Sequence, residues 1–383
     1  MKFIPITFFI VKVHARCNLN CSYCYEYNLG NDGWKYKPKF MTIEVFKRLC
    51  ERIAEHMESN PNYNAGKPFI SLHGGEPLLR KPEFFSQVLP IAESIIPDIE
   101  LGMQSNGTLL RQDYIDIFLK HDLTVGISID GPKKTNDKNR IDHREKGSFN
   151  RIIKGLSLLQ NPSNKKAWGG TLSVIDIDSD PIEILDFLSE LNPPGIDLLE
   201  PDATWDRLPP GKSSPLSTEY ADWLIKAFDH WINKLPHLPI RRFEEIMEHL
   251  LGGSGTTEYF GVEPANLITV ATDGAYEAVD QIKGAYDGAE HLGLDVFSNS
   301  LDEVVKHKKI QDRLIGLPAL SNKCLNCEYL DSCGGGYYPH RYKKKTGFKN
   351  PTIYCSDYLK LFAHIKNYLD ETLGNKKTHA TAR

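Results

Sequence analysis

Between residues 4 and 199, short apolar runs alternate with longer amphipathic stretches, and this rhythm constrains the fold more than any other feature. The apolar runs are Ile4–Val13, Pro68–Leu72, Glu100–Gln104, Thr124–Ile129, Gly170–Val174 and Ile196–Leu199. Stretches with apolar residues at helical spacing separate them: Thr42–Ser59, Pro82–Ile96, Arg111–His121, Phe149–Gln160 and Pro181–Leu191. Strands separated by helices predict right-handed crossovers and an α/β fold with a parallel sheet. In such sheets the chemistry gathers at the C-terminal ends of the strands, which is where the unusual segments of this chain fall.

The first of these segments is Cys17-Asn-Leu-Asn-Cys21-Ser-Tyr-Cys24, directly after the first run. Three thiolates on one short loop suit three irons of a [4Fe–4S] cluster, leaving the fourth iron for a chelating small molecule. Tyr23 would pack against that molecule. A zinc knuckle is the competing reading, but zinc prefers paired C-x2-C units and no second pair lies nearby. His73-Gly74-Gly75-Glu76-Pro77 closes the second run. Its glycines admit close backbone approach, and its carboxylate suits an ammonium partner. Taken alone, the same residues also read as a strand-ending turn.

Together the two segments resemble the signatures of the radical S-adenosylmethionine (SAM) enzymes. Gln104-Ser105-Asn106-Gly107-Thr108, Ser128-Ile129-Asp130-Gly131-Pro132 and the later Arg140 resemble further segments of that family. The resemblance implies a partial (β/α)6 barrel with a SAM-binding [4Fe–4S] cluster on Cys17, Cys21 and Cys24. It places SAM against Tyr23, Gly74, Gly75, Glu76, Gln104, Asn106, Ser128, Asp130 and Arg140, with Leu199 beside the adenine. A guanidinium such as Arg140 is the preferred partner of the SAM carboxylate. Simple turn chemistry also accounts for Asn106-Gly107 and Asp130-Gly131.

A second group of thiols comprises Cys324, Cys327, Cys333 and Cys355. Four thiolates suit a fully ligated [4Fe–4S] cluster or an all-cysteine zinc site equally well. Beside a radical SAM domain the group resembles the SPASM extension, which implies a second, auxiliary [4Fe–4S] cluster. The segments Cys333-Gly-Gly-Gly-Tyr-Tyr-Pro-His-Arg-Tyr342 and Asn350-Pro-Thr-Ile-Tyr-Cys355 resemble the FxsB-type maturases, which form cyclophane rings in ribosomal peptides. Thr272–Asp280 also resembles SPASM sequence, but Val279 stands where a cysteine usually precedes the aspartate. Full SPASM modules hold two auxiliary clusters on seven cysteines, so a second auxiliary cluster is not expected. Asp280 matches an aspartate that sulfatase-maturing relatives use as a base, which makes it the candidate catalytic residue. A loop aspartate satisfying backbone amides is the plainer alternative.

The resemblance implies reductive cleavage of SAM and oxidative joining of a side-chain Cβ to an aromatic carbon in a precursor peptide. The electron donor would be a flavodoxin or ferredoxin. Thioether-forming maturation and anaerobic sulfatase maturation are the nearest enzymatic alternatives. A non-catalytic zinc or iron–sulfur structural protein is the alternative of a different class, and a SAM pocket argues against it. Composition agrees: 40% apolar, 25% charged and a net charge of −4 over 383 residues give no case for nucleic acid or membrane. Clustered cysteines point to metal ligation in a reducing, cytoplasmic setting rather than to disulfides. Cys50 is expected to be a packed core residue. The expected organisation is a barrel over residues 1–200, a linker or lid and helical bridge over 201–255, the SPASM-like module over 256–365 and a C-terminal tail over 366–383. With only a few residues before the first strand, no leader-binding domain is expected there. Trp205, Arg207 and Arg241-Arg242-Phe243 are candidate peptide contacts.

Overall fold

The computed structural model describes residues 4–61, 66–255, 257–264, 266–314 and 316–380. Six parallel strands form the partial barrel: β1 Phe8–His14, β2 Phe69–Gly74, β3 Glu100–Ser105, β4 Thr124–Ser128, β5 Trp168–Val174 and β6 Ile196–Leu199. The crossover helices are α1 Ile43–Ser59, α2 Pro82–Ile95, α3 Gln112–Lys120, α4 Lys133–Asn139, α5 Phe149–Leu159 and α6 Pro181–Glu190. Thr42 caps α1 by accepting from the Val45 amide, and Asp180 caps α6 ahead of Pro181, so both helices start where capping chemistry dictates. Their apolar faces (Phe46, Leu49, Cys50 and Ile53 on α1; Ile184, Leu185 and Leu188 on α6) are buried. Cys50 is a core residue, as expected. The short α4, polar throughout, gave no apolar period to detect.

Helices α7 Glu219–Lys234 and α8 Arg241–Leu250 follow the barrel. Three more strands then extend its sheet: β7 Leu267–Val270, β8 Ala275–Glu277 and β9 His291–Asp295. The strand order is β6-β5-β4-β3-β2-β1-β7-β8-β9. Strand β7 pairs in parallel with the free side of β1 (Phe8↔Leu267 to Val11↔Val270), so β1 lies inside the sheet and the C-terminal third is fused to the barrel. Short helices α9 Leu301–Lys306, α10 Lys308–Leu314, α11 Asn322–Leu325 and α12 Leu330–Cys333 lead to α13, Cys355–Ala380. The helix α13 runs on past residue 365, where a tail was expected to begin. Phe362, Ile365 and Leu369 carry its buried face across that point. Residues 381–383 of the expected tail lie outside the described residues.

Candidate active site

A cavity of about 210 Å³ opens at the C-terminal ends of β1–β6. Its wall includes Cys17, Cys21, Cys24, Tyr23, Gly74, Gly75, Glu76, Gln104, Asn106, Ser128, Arg140 and Leu199. The fold thus brings together every residue expected at the SAM site except Asp130, which stands behind Tyr23 and accepts its hydroxyl at 2.6 Å.

The thiol-bearing loop is tethered from three directions. Asn106 donates to the Asn18 side chain at 2.9 Å, and Asn18 donates to Thr108 at 2.8 Å. The Ser22 amide donates to the Asn139 carbonyl at 3.1 Å, and the His143 ring lies 3.0 Å from the Cys17 carbonyl. Burial pushes the Cys17 thiol up to about 12 and raises Cys21 and Cys24 as well. Iron binding here would therefore release protons.

Gly74 and Gly75 sit hard against the end of β1. A Cβ on Gly74, which has φ +143°, would lie 2.3 Å from the His14 carbonyl oxygen; one on Gly75 would lie 1.9 Å from the Tyr27 hydroxyl. Glycine is required there by packing, whatever binds beyond it. Glu76 is buried and accepts from the Leu78 amide, the Asn106 amide and the Ser105 hydroxyl, at 2.9, 2.8 and 2.8 Å. Burial nonetheless raises its pKa above the ordinary carboxylate range. Among the described residues no cation pairs with it, so an incoming ammonium would supply the missing counter-charge. Across the cavity, Arg140 donates to the Tyr23 hydroxyl at 2.9 Å and lies 3.9 Å from Asp130, while its buried Nε has no partner. The donor set therefore fits a zwitterion with an ammonium at Glu76 and a carboxylate at Arg140. Leu172, Val174 and Leu199 give an apolar wall between them.

Behind the floor lies a buried charge cluster of which the sequence reading singled out only Asp280. Lys12 is 2.6 Å from Glu26, 2.5 Å from Asp280 and 3.6 Å from Glu277. Lys283 is 3.0 Å from Glu26 and 3.1 Å from Glu277. Burial opposes ionisation of Asp280, but Lys12 and Lys283 outweigh it and hold the carboxyl well below its usual range. Asp280 does not line the cavity; Tyr25, which does, donates to it at 2.7 Å, and His73 stands 3.8 Å away. The signal for this cluster was a lysine between Val11 and Val13 in an otherwise apolar strand.

Cys324, Cys327, Cys333 and Cys355 line a second cavity of about 40 Å³, with Tyr358 and Phe362. Among the described residues no three His, Cys, Asp or Glu side chains converge on a single ion. The four thiols line one space, the donor set of a fully ligated [4Fe–4S] cluster, and they suit an all-cysteine zinc equally.

Of the expected peptide contacts, Arg242 and Phe243 are corrected, while Arg241 is exposed and Trp205 and Arg207 are half-buried. Arg242 is buried and forms a two-pronged pair with the Glu200 carboxylate, and Phe243 is fully buried. Arg241 pairs with Asp197. Trp205 donates to the Pro351 carbonyl at 2.8 Å, and Arg207 donates to the carbonyls of Leu29 and Gly284 at 3.0 and 2.8 Å. These side chains fasten the 201–217 segment to the barrel and the C-terminal region. Cavity residues that sequence reasoning missed include Glu26 and Tyr27 beside the thiols, Glu200 and Asp202 after β6, and Tyr259 and Gln281 from the C-terminal third.

Residues 11–188 match the Radical SAM superfamily. Over that span, a little under half of the chain, it is similar to the radical SAM enzymes, whose α/β fold it shares; such enzymes use a [4Fe–4S] cluster and SAM. The serine-type anaerobic sulfatase-maturating enzyme of Bacteroides thetaiotaomicron is 24% identical over 396 residues, covering 96% of this chain and 91% of that protein. The cysteine-type anaerobic sulfatase-maturating enzyme of Clostridium novyi is 23% identical over 391 residues, covering 93% and 94%. Among solved structures, native anSMEcpe with bound AdoMet superimposes with a TM-score of 0.80 at 21% identity, covering 96% and 99% of the two chains. Streptococcus suis SuiB bound to its precursor peptide SuiA gives 0.62 at 17% identity, covering 91% and 75%. These structural likenesses establish the fold. Among the described residues no helix is long and apolar enough to cross a membrane.

Proposed function

We propose that this enzyme is a peptide maturase that joins a side-chain Cβ to an aromatic carbon within a precursor peptide, in the manner of the FxsB-type enzymes. The observation that carries the reading is the cavity itself. It sets three thiols beside a fitted ammonium and carboxylate site and is faced by Asp202, Tyr259 and Gln281 from the C-terminal side. When bound, the cluster and SAM together supply a carbon-centred radical that removes an unactivated hydrogen atom.

The chain's own residues do the rest. Cys17, Cys21 and Cys24 hold the SAM-binding cluster, and Glu76 and Arg140 fix the methionine end of SAM through its ammonium and carboxylate. Gln104, which donates to Ser128 at 2.8 Å, fixes the cavity side of that hydroxyl. Leu199 and its apolar neighbours keep water from the reacting atoms. Cys324, Cys327, Cys333 and Cys355 hold an auxiliary [4Fe–4S] cluster. The barrel spans 1–200, the bridge 201–255 and the auxiliary module 256–365. A flavodoxin or ferredoxin in the cytoplasm supplies the electron.

Sulfatase maturation is the second reading, and the relatives above together with the Tyr25–Asp280 pair at the cavity floor favour it. Anaerobic incubation with SAM, reductant and candidate peptides separates the two. A peptide lighter by two hydrogens whose fragmentation stops between two joined residues supports cross-linking. A product that instead reacts with a hydrazine is an aldehyde and supports sulfatase maturation.

A further inference from the structure

The two cysteine-lined cavities are joined by a continuous set of aromatic rings. Tyr259 lines the barrel cavity, and Tyr358 lines the four-cysteine cavity. Between them stands Phe260, 6.5 Å from Tyr259 and 5.2 Å from Tyr358, centroid to centroid. A second branch leaves Tyr259 through Tyr337, stacked on it at 4.5 Å and 13°. It continues through His340 at 5.1 Å and Tyr354 at 5.2 Å, and rejoins Tyr358 at 6.3 Å. Phe260, Tyr337, His340, Tyr354 and Tyr358 are all buried. Seven of the eight cysteines line the two cavities and the eighth, Cys50, is packed in the core, so no thiols remain to hold a further cluster between them.

Ordinary core packing explains rings in contact, but it does not require both branches to end on the walls of the two cavities. Aromatic rings offer delocalised orbitals at close spacing, and electrons tunnel through such packing more readily than through aliphatic side chains. We propose that this ring set is the electron path from the substrate cavity to the four-cysteine site, with Tyr259 and Tyr358 as its two ends. The inference rests on the cross-linking function proposed above. When the Cβ radical bonds to the aromatic carbon, the C–C bond leaves an unpaired electron on the substrate ring. Restoring aromaticity releases one proton and one electron. The proton passes to Asp202, which lines the cavity and lies 3.3 Å from the His340 ring. The electron crosses the rings and reduces the oxidised [4Fe–4S] cluster held at the four cysteines by one unit.

Both branches meet at Tyr358, but Phe260 also touches Phe362, the other ring on the wall of the four-cysteine cavity, at 5.5 Å; Tyr358 is therefore tested in a chain that carries Phe362→Leu and serves as the wild type of the comparison. Tyr358→Phe keeps the ring and loses only a hydroxyl, whereas Tyr358→Leu removes the ring. Each variant is reconstituted, its iron content and melting temperature are compared with wild type, and single turnovers are freeze-quenched for electron paramagnetic resonance. The expected result is that Tyr358→Phe reduces the C-terminal cluster at the wild-type rate. Tyr358→Leu, with full iron, still releases deoxyadenosine but reduces that cluster several-fold more slowly. Equal rates in all three proteins overturn the path, as does equal slowing in both variants. Tyr259 also contacts the His340 ring directly at 6.4 Å, so should Tyr358→Leu fail to load iron, the double variant Phe260→Leu/Tyr354→Leu, which cuts every branch and leaves Tyr358 in place, is read by the same criterion. Peptide mass is scored separately. If wild-type protein modifies no peptide, the cross-linking function fails, and the path is judged on electron exchange between the two clusters after flash photoreduction without peptide, where the ring-deleted protein must be slower.

Discussion

Replacing Lys12 by Met removes the ammonium at the centre of the buried charge cluster. Glu26, Glu277 and Asp280 are then left facing Lys283 alone, since these five groups are packed within ion-pairing distance of one another. Methionine is unbranched and adaptable and fills most of the vacated volume, so the cavity contribution is small. The dominant cost is stranding buried carboxylates, for which removal of one partner from a buried pair costs about 3–5 kcal/mol. For a chain of this size that corresponds to a fall in melting temperature of about 5 °C. The sign of the pH dependence follows from Asp280 and Glu277, both held below their ordinary values in the folded chain despite burial, through Lys12 and Lys283. Groups depressed in this way contribute stability that is present above their unfolded values and is lost as pH falls through the folded ones. In Lys12→Met the cause of the depression is halved, so the difference from wild type should be widest at neutral pH. It should narrow as pH falls below the unfolded carboxylate values of ~4. Thermal unfolding of the cluster-free proteins, followed by circular dichroism from pH 8 to pH 2, measures this. A gap under a quarter of that size, or one that widens toward acid, would refute the electrostatic account of the cluster.

Arg140→Met should weaken SAM binding about 10- to 100-fold, the loss of one charge-assisted hydrogen bond; anaerobic equilibrium dialysis reads it, and Arg140→Lys should recover part of the loss. Gly75→Ala places a methyl 1.9 Å from the Tyr27 hydroxyl and 2.5 Å from the Arg16 carbonyl, so SAM cleavage should be lost. Tyr27→Phe in the same chain should restore little, because the backbone clash remains. Cys327→Ala should lower iron content and stop peptide modification while sparing some uncoupled deoxyadenosine release, and full peptide turnover by that variant would remove the assigned role of the second thiol group. Glu219, drawn down to about 2 against burial by the Ser213 and Ser217 hydroxyls, should lend stability above pH ~4.5 that fades as pH falls toward 2. Glu219→Gln should flatten that acid limb in a pH series of unfolding midpoints.

The barrel was legible because its signals are local: alternating apolar runs, Thr42 and Asp180 as caps, and Pro181 at a helix start. Observed strand limits differ from the expected ones by a few residues, as at β1, where Ile4–Val13 became Phe8–His14. The walls of the barrel cavity were legible for the same reason, since each segment closes a strand. What failed was non-local. Pairing of β7 with β1 joins residues some 260 positions apart, and nothing in either segment announces the partner. Arg242 and Phe243 lie on a helix whose charged residues look exposed in sequence, yet the two-pronged pair with Glu200 makes burial of Arg242 tolerable. Asp280 was found by resemblance, but its clamp by two lysines belongs to residues from β1 and from the turn that follows Asp280 itself.

The central claim is that this chain cleaves SAM reductively at the Cys17–Cys24 loop. The most direct test is anaerobic: reconstitute with iron and sulfide, add dithionite and SAM, with and without peptide, and quantify 5′-deoxyadenosine by mass spectrometry. The account predicts about eight irons per chain and deoxyadenosine that disappears in Cys24→Ala. A fully iron-loaded protein that binds SAM yet releases no deoxyadenosine under either condition would contradict it.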